Sequence, residues 1–254
     1  MSPWLAYAAL FAVGLVAGAL NVVAGGGSFL TLPVLIFLGL PASVANGTNR
    51  IGILTQNLGA VWGFDRYQVL HWRWAPWTAL PAAVEAVFGT WGAIEIPDAA
   101  FKRVLAFLML ALSLWTLWDP MRGREADRDG GAAALGGPRC WAIAAAFFAV
   151  GLYTGFVQAG VGFLILAVTT LAGLDLVRGN ALKVLVILIA TPLSLAIFAG
   201  TGRVDWPLGL TLAVGNLLGG LVGVRLTVLK RHRWMKGMVT ATVVIFALKL
   251  WFER

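Results

Sequence analysis

The stretch Gly18-Ala19-Leu20-Asn21-Val22-Val23-Ala24-Gly25-Gly26-Gly27-Ser28-Phe29 decides how this chain is read. It closes an apolar run over Trp4–Ala24, inserts three glycines and a serine, and opens a second apolar run over 29–40 that carries Pro33. A spanning helix needs about 20 mostly apolar residues. The first run is therefore a full span, and the second is a short helix started by a break. In lipid, backbone N–H and C=O groups must be satisfied internally, so a glycine-broken helix belongs where it lines protein or a wet cavity.

Composition agrees with a membrane setting. Of 254 residues, 60% are hydrophobic and 12% charged, against roughly 45–50% and 25% in soluble domains. That balance excludes a soluble enzyme and a disordered chain. The single Cys140 excludes a disulfide scaffold. The net charge of +8 comes from short clusters between apolar runs. Basic clusters of this kind set topology in the bilayer, so the chain's partners are the lipid bilayer and a small anion rather than nucleic acid. Met1-Ser2-Pro3 carries no basic n-region, so the first run reads as a retained helix.

Outward from the break, apolar segments follow at 43–64, 74–94 and 101–118, and the hydrophilic stretch 119–139 forms an exposed cytoplasmic linker. The pattern then recurs at 141–158, 163–174, 176–198, 206–224 and 234–252. Sliding the second half by about 134 positions places Gly39-Leu40 on Gly173-Leu174, Asn46 on Asn180, Trp72 on Trp206 and Gly89 on Gly223. With a small gap, Gly14 and Gly18 meet Gly151 and Gly155, and Asn21 meets Gln158. The expected fold is thus an all-α polytopic membrane protein. It has two five-segment repeats, 1–118 and 140–254, each with a Gly-broken short helix.

The basic clusters Arg66/Arg73, Arg122/Arg124/Arg128/Arg139 and Lys230/Arg231/Arg233/Lys236 fall on one side only if the short segments cross. That side is the cytoplasm, both termini lie outside it, and five crossings per half make the repeats inverted. Tryptophans near segment ends, including Trp4, Trp62, Trp72, Trp74, Trp141 and Trp206, are expected in interfacial belts.

Paired Gly-interrupted segments in corresponding positions point to a transporter's binding site. The first amides of a half-helix lack intrahelical partners and carry the positive dipole end, which suits an anion. The candidates here are Asn21, Gly25, Gly26, Gly27 and Ser28 in the first half, with Gln158, Gly160 and Gly162 in the second. The third segment of each half supplies walls. Asn46, Thr48, Asn49, Arg50 and Asn57 lie on the first, with Asn46, Asn49, Arg50 and Asn57 near one face, and Asn180 and Lys183 lie on the second. Intramembrane cations usually face a cavity and serve function, although snorkelling to the interface would also accommodate Arg50 and Lys183. Gly14, Gly18, Gly151 and Gly155 read instead as close helix packing.

Glu85 is the one carboxylate well inside an apolar run. It is a proton-coupling candidate, or a partner for Arg50 or Lys183. No phosphate-binding G-x-x-x-x-G-K-[ST] loop, HExxH, Cys/His cluster or G-x-S-x-G elbow occurs. ATP hydrolysis, catalysis and a cofactor are therefore not expected of this chain.

Gly18 to Phe29, with Pro33 and Gly39-Leu40-Pro41, resembles the first motif of the sulfite exporter TauE/SafE family. Ala45-Asn46-Gly47-Thr48-Asn49-Arg50 resembles the start of that family's next helix. Gly155 to Gly162, Gly179-Asn180-Ala181-Leu182-Lys183 and Gly202-Arg203-Val204-Asp205-Trp206 are similar to its second copy, with Phe163 where a small residue is expected. The resemblance implies an inner-membrane permease that exports sulfite, sulfonates or related organic anions. An anion channel with the same site is the alternative, and oligomeric state is open.

Overall fold

The structure is a computed structural model that describes residues 3–118 and 138–229. Residues 119–137 of the linker 119–139, the tenth apolar segment and the basic clusters after Arg73 (except Arg139) lie outside the described residues, and Pro138 and Arg139 already belong to a helix. Among the described residues all regular structure is helical, with a 3-10 turn at Trp72–Trp74. In chain order the helices are α1 (Pro3–Ala24), α2 (Ser28–Phe37), α3 (Ala42–Arg66), α4 (Ala75–Glu95) and α5 (Asp98–Trp118), then α6 (Pro138–Phe156), α7 (Val161–Leu171), α8 (Leu176–Gly200) and α9 (Trp206–Leu229). The helical runs over Trp4–Ala24, Leu176–Gly200 and Trp206–Leu229 are long and apolar enough to cross a membrane. By contrast, α2 and α7 have only 10 and 11 residues. α3 has 25 residues but a buried face rich in amides.

Helix ends follow local chemistry. Gly39 and Gly173, matched in the sequence, both take positive φ (98° and 93°) just past α2 and α7. At each, the glycine amide donates three residues back and the following leucine amide five residues back, to Ile36 and Leu35 or to Thr170 and Thr169. That pattern closes the orphan carbonyls of a helix end. Gly202 ends α8 the same way. Gln68 does so for α3 without being glycine, at φ 56°.

The most extensive helix pairs are α1 with α9 and α4 with α6, followed by α3 with α9 and α4 with α8. Small residues bring the backbones together. A Cβ on Gly18 would stand 3.0 Å from Asn216 Cα and Gly220 N, and one on Gly151 would stand 2.6 Å from Ala82 Cα. The tight stripes of α1 and α6 are thus packing surfaces, the usual means of helix association in lipid. On the outer side of α4, Leu80, Val84, Phe88 and Trp91 form an exposed apolar strip at helical spacing. The interfacial reading of the tryptophans requires exposed rings, as Trp4, Trp62, Trp72, Trp141 and Trp206 have. It fails for Trp74, which is buried against the α8 core. Its place at the end of the 3-10 turn directs the ring inward.

Candidate functional site

The two glycine breaks meet. Gly25 (φ 91°) ends α1, and Gly160 (φ 73°) caps α7. A Cβ on Gly25 would lie 2.6 Å from both Cα and C of Gly162, so the crossing admits only backbone. Phe29 and Phe163 stack beside it, with centroids 6.4 Å apart and planes at 24°. The N-terminus of α2, capped by Gly27, and that of α7, capped by Gly160, carry no side-chain cap. Helix N-termini carry positive dipole ends, and here the amides of Phe29 and Leu30 and of Val161 and Phe163 already donate to carbonyls within the opening turns.

The C-termini of α1 and α6 end at the same crossing, and here side chains do the capping. From α3, Arg50 Nη2 donates to the carbonyls of Thr154 (3.1 Å) and Gly155 (2.5 Å), and Asn46 Nδ2 to that of Phe156 (2.8 Å). From α8, Lys183 Nζ donates to the carbonyls of Asn21 and Val22 (2.8 Å each), and Asn180 Nδ2 to that of Val23 (3.3 Å). Each third helix therefore holds the last turn of the first helix from the other half. A cation at a helix C-terminus complements the negative dipole end. Arg50 and Lys183 are 0% and 1% exposed. Snorkelling is thus overturned: both stems run inward to main-chain carbonyls.

Beyond these bonds, buried polar atoms on α3 find no partner among the described residues: Asn46 Oδ1, Asn49 Nδ2, Arg50 Nε and Nη1, Gln56 Nε2 and Asn57 Oδ1. Leaving such groups unpaired costs roughly 1–3 kcal/mol each. Phe198 covers one face of the Arg50 guanidinium, whose Cζ lies 4.9 Å from the ring centroid, while Nε and Nη1 are buried without a partner among the described residues. Lys183 differs, because its third N–H goes to Asn180 Oδ1 at 2.6 Å.

Other expected residues sit nearby in differing roles. Asn21 Nδ2 donates to Gln56 Oε1 (3.2 Å), and Gln158 Nε2 to Thr191 Oγ1 (2.8 Å), leaving Gln158 Oε1 without a partner among the described residues. Ser28, Gly26 and Gly27 form the first turn of α2 and its approach. Asn57 Nδ2 bonds back to Ile53 on its own helix (2.7 Å). Thr48 is turned toward the loop before α9, accepting from the Asp205 amide (2.8 Å). Glu85 is 7% exposed on α4, one turn before Gly89, and neither Arg50 nor Lys183 forms an ion pair with it. The residues missed from sequence are Thr31, which donates to Asn49 Oδ1 at 2.6 Å, and Gln56, Phe198 and Asn216. Asn216 stands out as an amide inside the apolar α9, the kind of signal that intramembrane polarity gives.

Membrane-length apolar helices around a buried, cation-bearing polar centre define an integral membrane protein. The chain belongs to the sulfite exporter TauE/SafE family, which it matches over residues 10–250. It is 29% identical over 248 residues to a probable membrane transporter protein of Haemophilus influenzae, covering 97% of this chain and 95% of that one. It is 27% identical to the probable membrane transporter proteins ORF9 of Sinorhizobium sp (95% and 90% covered) and YfcA of Escherichia coli K12 (96% and 89%). No solved structure matches the chain. Family and relatives make it a membrane transporter.

Proposed function

We propose that this chain is a secondary transporter that exports small sulfur-containing or organic anions, such as sulfite or sulfonates, across the inner membrane. The observation that carries the reading is the contact of the two glycine breaks at Gly25 and Gly162, between the starts of α2 and α7, together with the buried, unpartnered N–H groups of Arg50 and Asn49 on α3. Helix N-termini and a guanidinium with free donors together suit an oxoanion. The family description names sulfite export, which supports the substrate class.

The halves 1–118 and 140–254 are read as inverted repeats. The first helix of each rests on the fourth of the other, α1 on α9 and α6 on α4, which supports that reading. Rocking of the halves about the crossing supplies alternating access. In this arrangement the chain crosses the membrane many times with both termini outside the cytoplasm. Glu85 is the group through which a proton gradient would couple.

Reconstituted in vesicles, the protein should show saturable sulfite or methanesulfonate flux with trans-stimulation, lost in Arg50→Ala. Glu85→Gln should abolish the dependence on a pH gradient while leaving counterflow intact. Flux without trans-stimulation and with large unitary currents identifies a channel instead. Unimpaired flux in Arg50→Ala removes the site assignment.

A further inference from the structure

Arg50 and Lys183 hold matching places at the ends of α6 and α1, yet they are not equivalent donors. An ammonium has three N–H groups and no acceptor. Those of Lys183 go to Asn21 O, Val22 O and Asn180 Oδ1 at 2.8, 2.8 and 2.6 Å. To touch an anion, Lys183 would have to release the end of α1 or its own Asn180. A guanidinium has five N–H groups, and Arg50 uses only Nη2, on Thr154 and Gly155. Its Nε and Nη1 are fully buried without a partner among the described residues, as is Nδ2 of neighbouring Asn49. All the spare donors of this group are on α3. Among the described residues α8 contributes no unpartnered buried side-chain donor.

Building on the proposed transport site, we propose that it is one-sided: Arg50 alone takes the substrate's anionic head group, and Lys183 is a positioning residue that holds the last turn of α1 against the crossing. A substrate with one acid group then satisfies the site. A second acid group finds no donor on the opposite helix, and burying it unpaired is costly. The site therefore takes single-headed anions such as an alkyl sulfonate, bisulfite or a monocarboxylate. It does not bridge two-headed anions between two cations.

The test compares methanesulfonate with ethane-1,2-disulfonate on the purified, reconstituted protein, by thermal stabilisation and by counterflow kinetics. In the unaltered protein the disulfonate should bind no tighter than the monosulfonate. Arg50→Gln should raise KM for methanesulfonate by about tenfold or more, the usual scale for a lost hydrogen bond to a charge, with partial recovery in Arg50→Lys. Lys183→Gln should leave KM within about threefold while maximal flux falls, and Lys183→Arg should restore part of that flux. If Lys183→Gln fails to fold, the comparison in the unaltered protein still decides. The inference is overturned by disulfonate binding tenfold or more tighter than monosulfonate, or by equal KM losses at Arg50 and Lys183. Either result leaves transport itself standing. Absence of any anion-dependent stabilisation or flux overturns the transport reading and this inference with it.

Discussion

Gly25 and Gly39 share a left-handed backbone but not surroundings, and the difference separates conformational strain from contact. Gly39 (φ 98°) has no neighbouring atom within 4 Å of a built Cβ, whereas at Gly25 (φ 91°) that Cβ would lie 2.6 Å from the backbone of Gly162. Alanine at either site pays the left-handed penalty, about 1–2 kcal/mol. At Gly25 the methyl also pushes two main chains apart, an overpacking cost of roughly 1–3 kcal/mol or more. Melting in detergent should therefore fall clearly further for Gly25→Ala than for Gly39→Ala. Equal shifts would mean that the two breaks are not in contact. At this scale the sequence was informative about which residues matter and silent about whom they meet. The glycine runs, Arg50, Lys183 and the amides of α3 are legible because lipid makes polarity and broken helices conspicuous. That the two cations cap carbonyls of α6 and α1 is not legible, since those partners lie 104 and 162 residues away in the chain.

Among elements, the start of α3 shows how a helix carrying the site is fixed from outside itself. Its N-cap is Pro41, which offers no side-chain cap. The missing acceptor comes from the start of α5: Asp98 Oδ2 and Oδ1 accept from the amides of Ala42 (2.8 Å) and Ser43 (3.1 Å). The corresponding helix α8 has its own cap, Asp175, accepting from Val177 and Arg178. Asp98→Ala should destabilise the protein by about 1–2 kcal/mol, the worth of a cap plus a charge at a helix N-terminus. Asp98→Asn, which keeps an acceptor oxygen, should lose less. Detergent melting of the two variants checks the order, and a larger loss in Asp98→Asn would contradict the cap. Apolarity alone places the start of the fifth segment at Phe101. The helix begins at Asp98, because its first turn serves α3 rather than the lipid. Asp175 fits the familiar pattern of an acidic N-cap before an apolar run, whereas a cap donated 56 residues away leaves no local pattern.

For the molecule as a whole, the exchange of partners between halves determines what can fold alone. α1 is covered chiefly by α9 and α4 chiefly by α6, while α3 rests on α8 and α9. Within the first half, α1 and α4 have no mutual interface of comparable extent. Isolated, that half would turn the glycine stripe of α1 and the Ala82/Ala86/Gly89 face of α4 toward lipid, and close small-residue packing is what drives helices together there. It would also strand Arg50 and Asn46 without the carbonyls of Thr154, Gly155 and Phe156. Leaving a buried cation unpaired costs several kcal/mol. Splitting the chain between Trp118 and Pro138 should therefore give fragments that are degraded when expressed singly. Co-expressed, they should accumulate as a stable pair, because no described helix is cut and the contacts between the fragments are the largest ones present. Affinity capture of one tagged fragment, followed by melting of the recovered pair, measures this directly. A first half that accumulates and melts cooperatively alone would show that its stability does not depend on the cross-packing of α1 and α4.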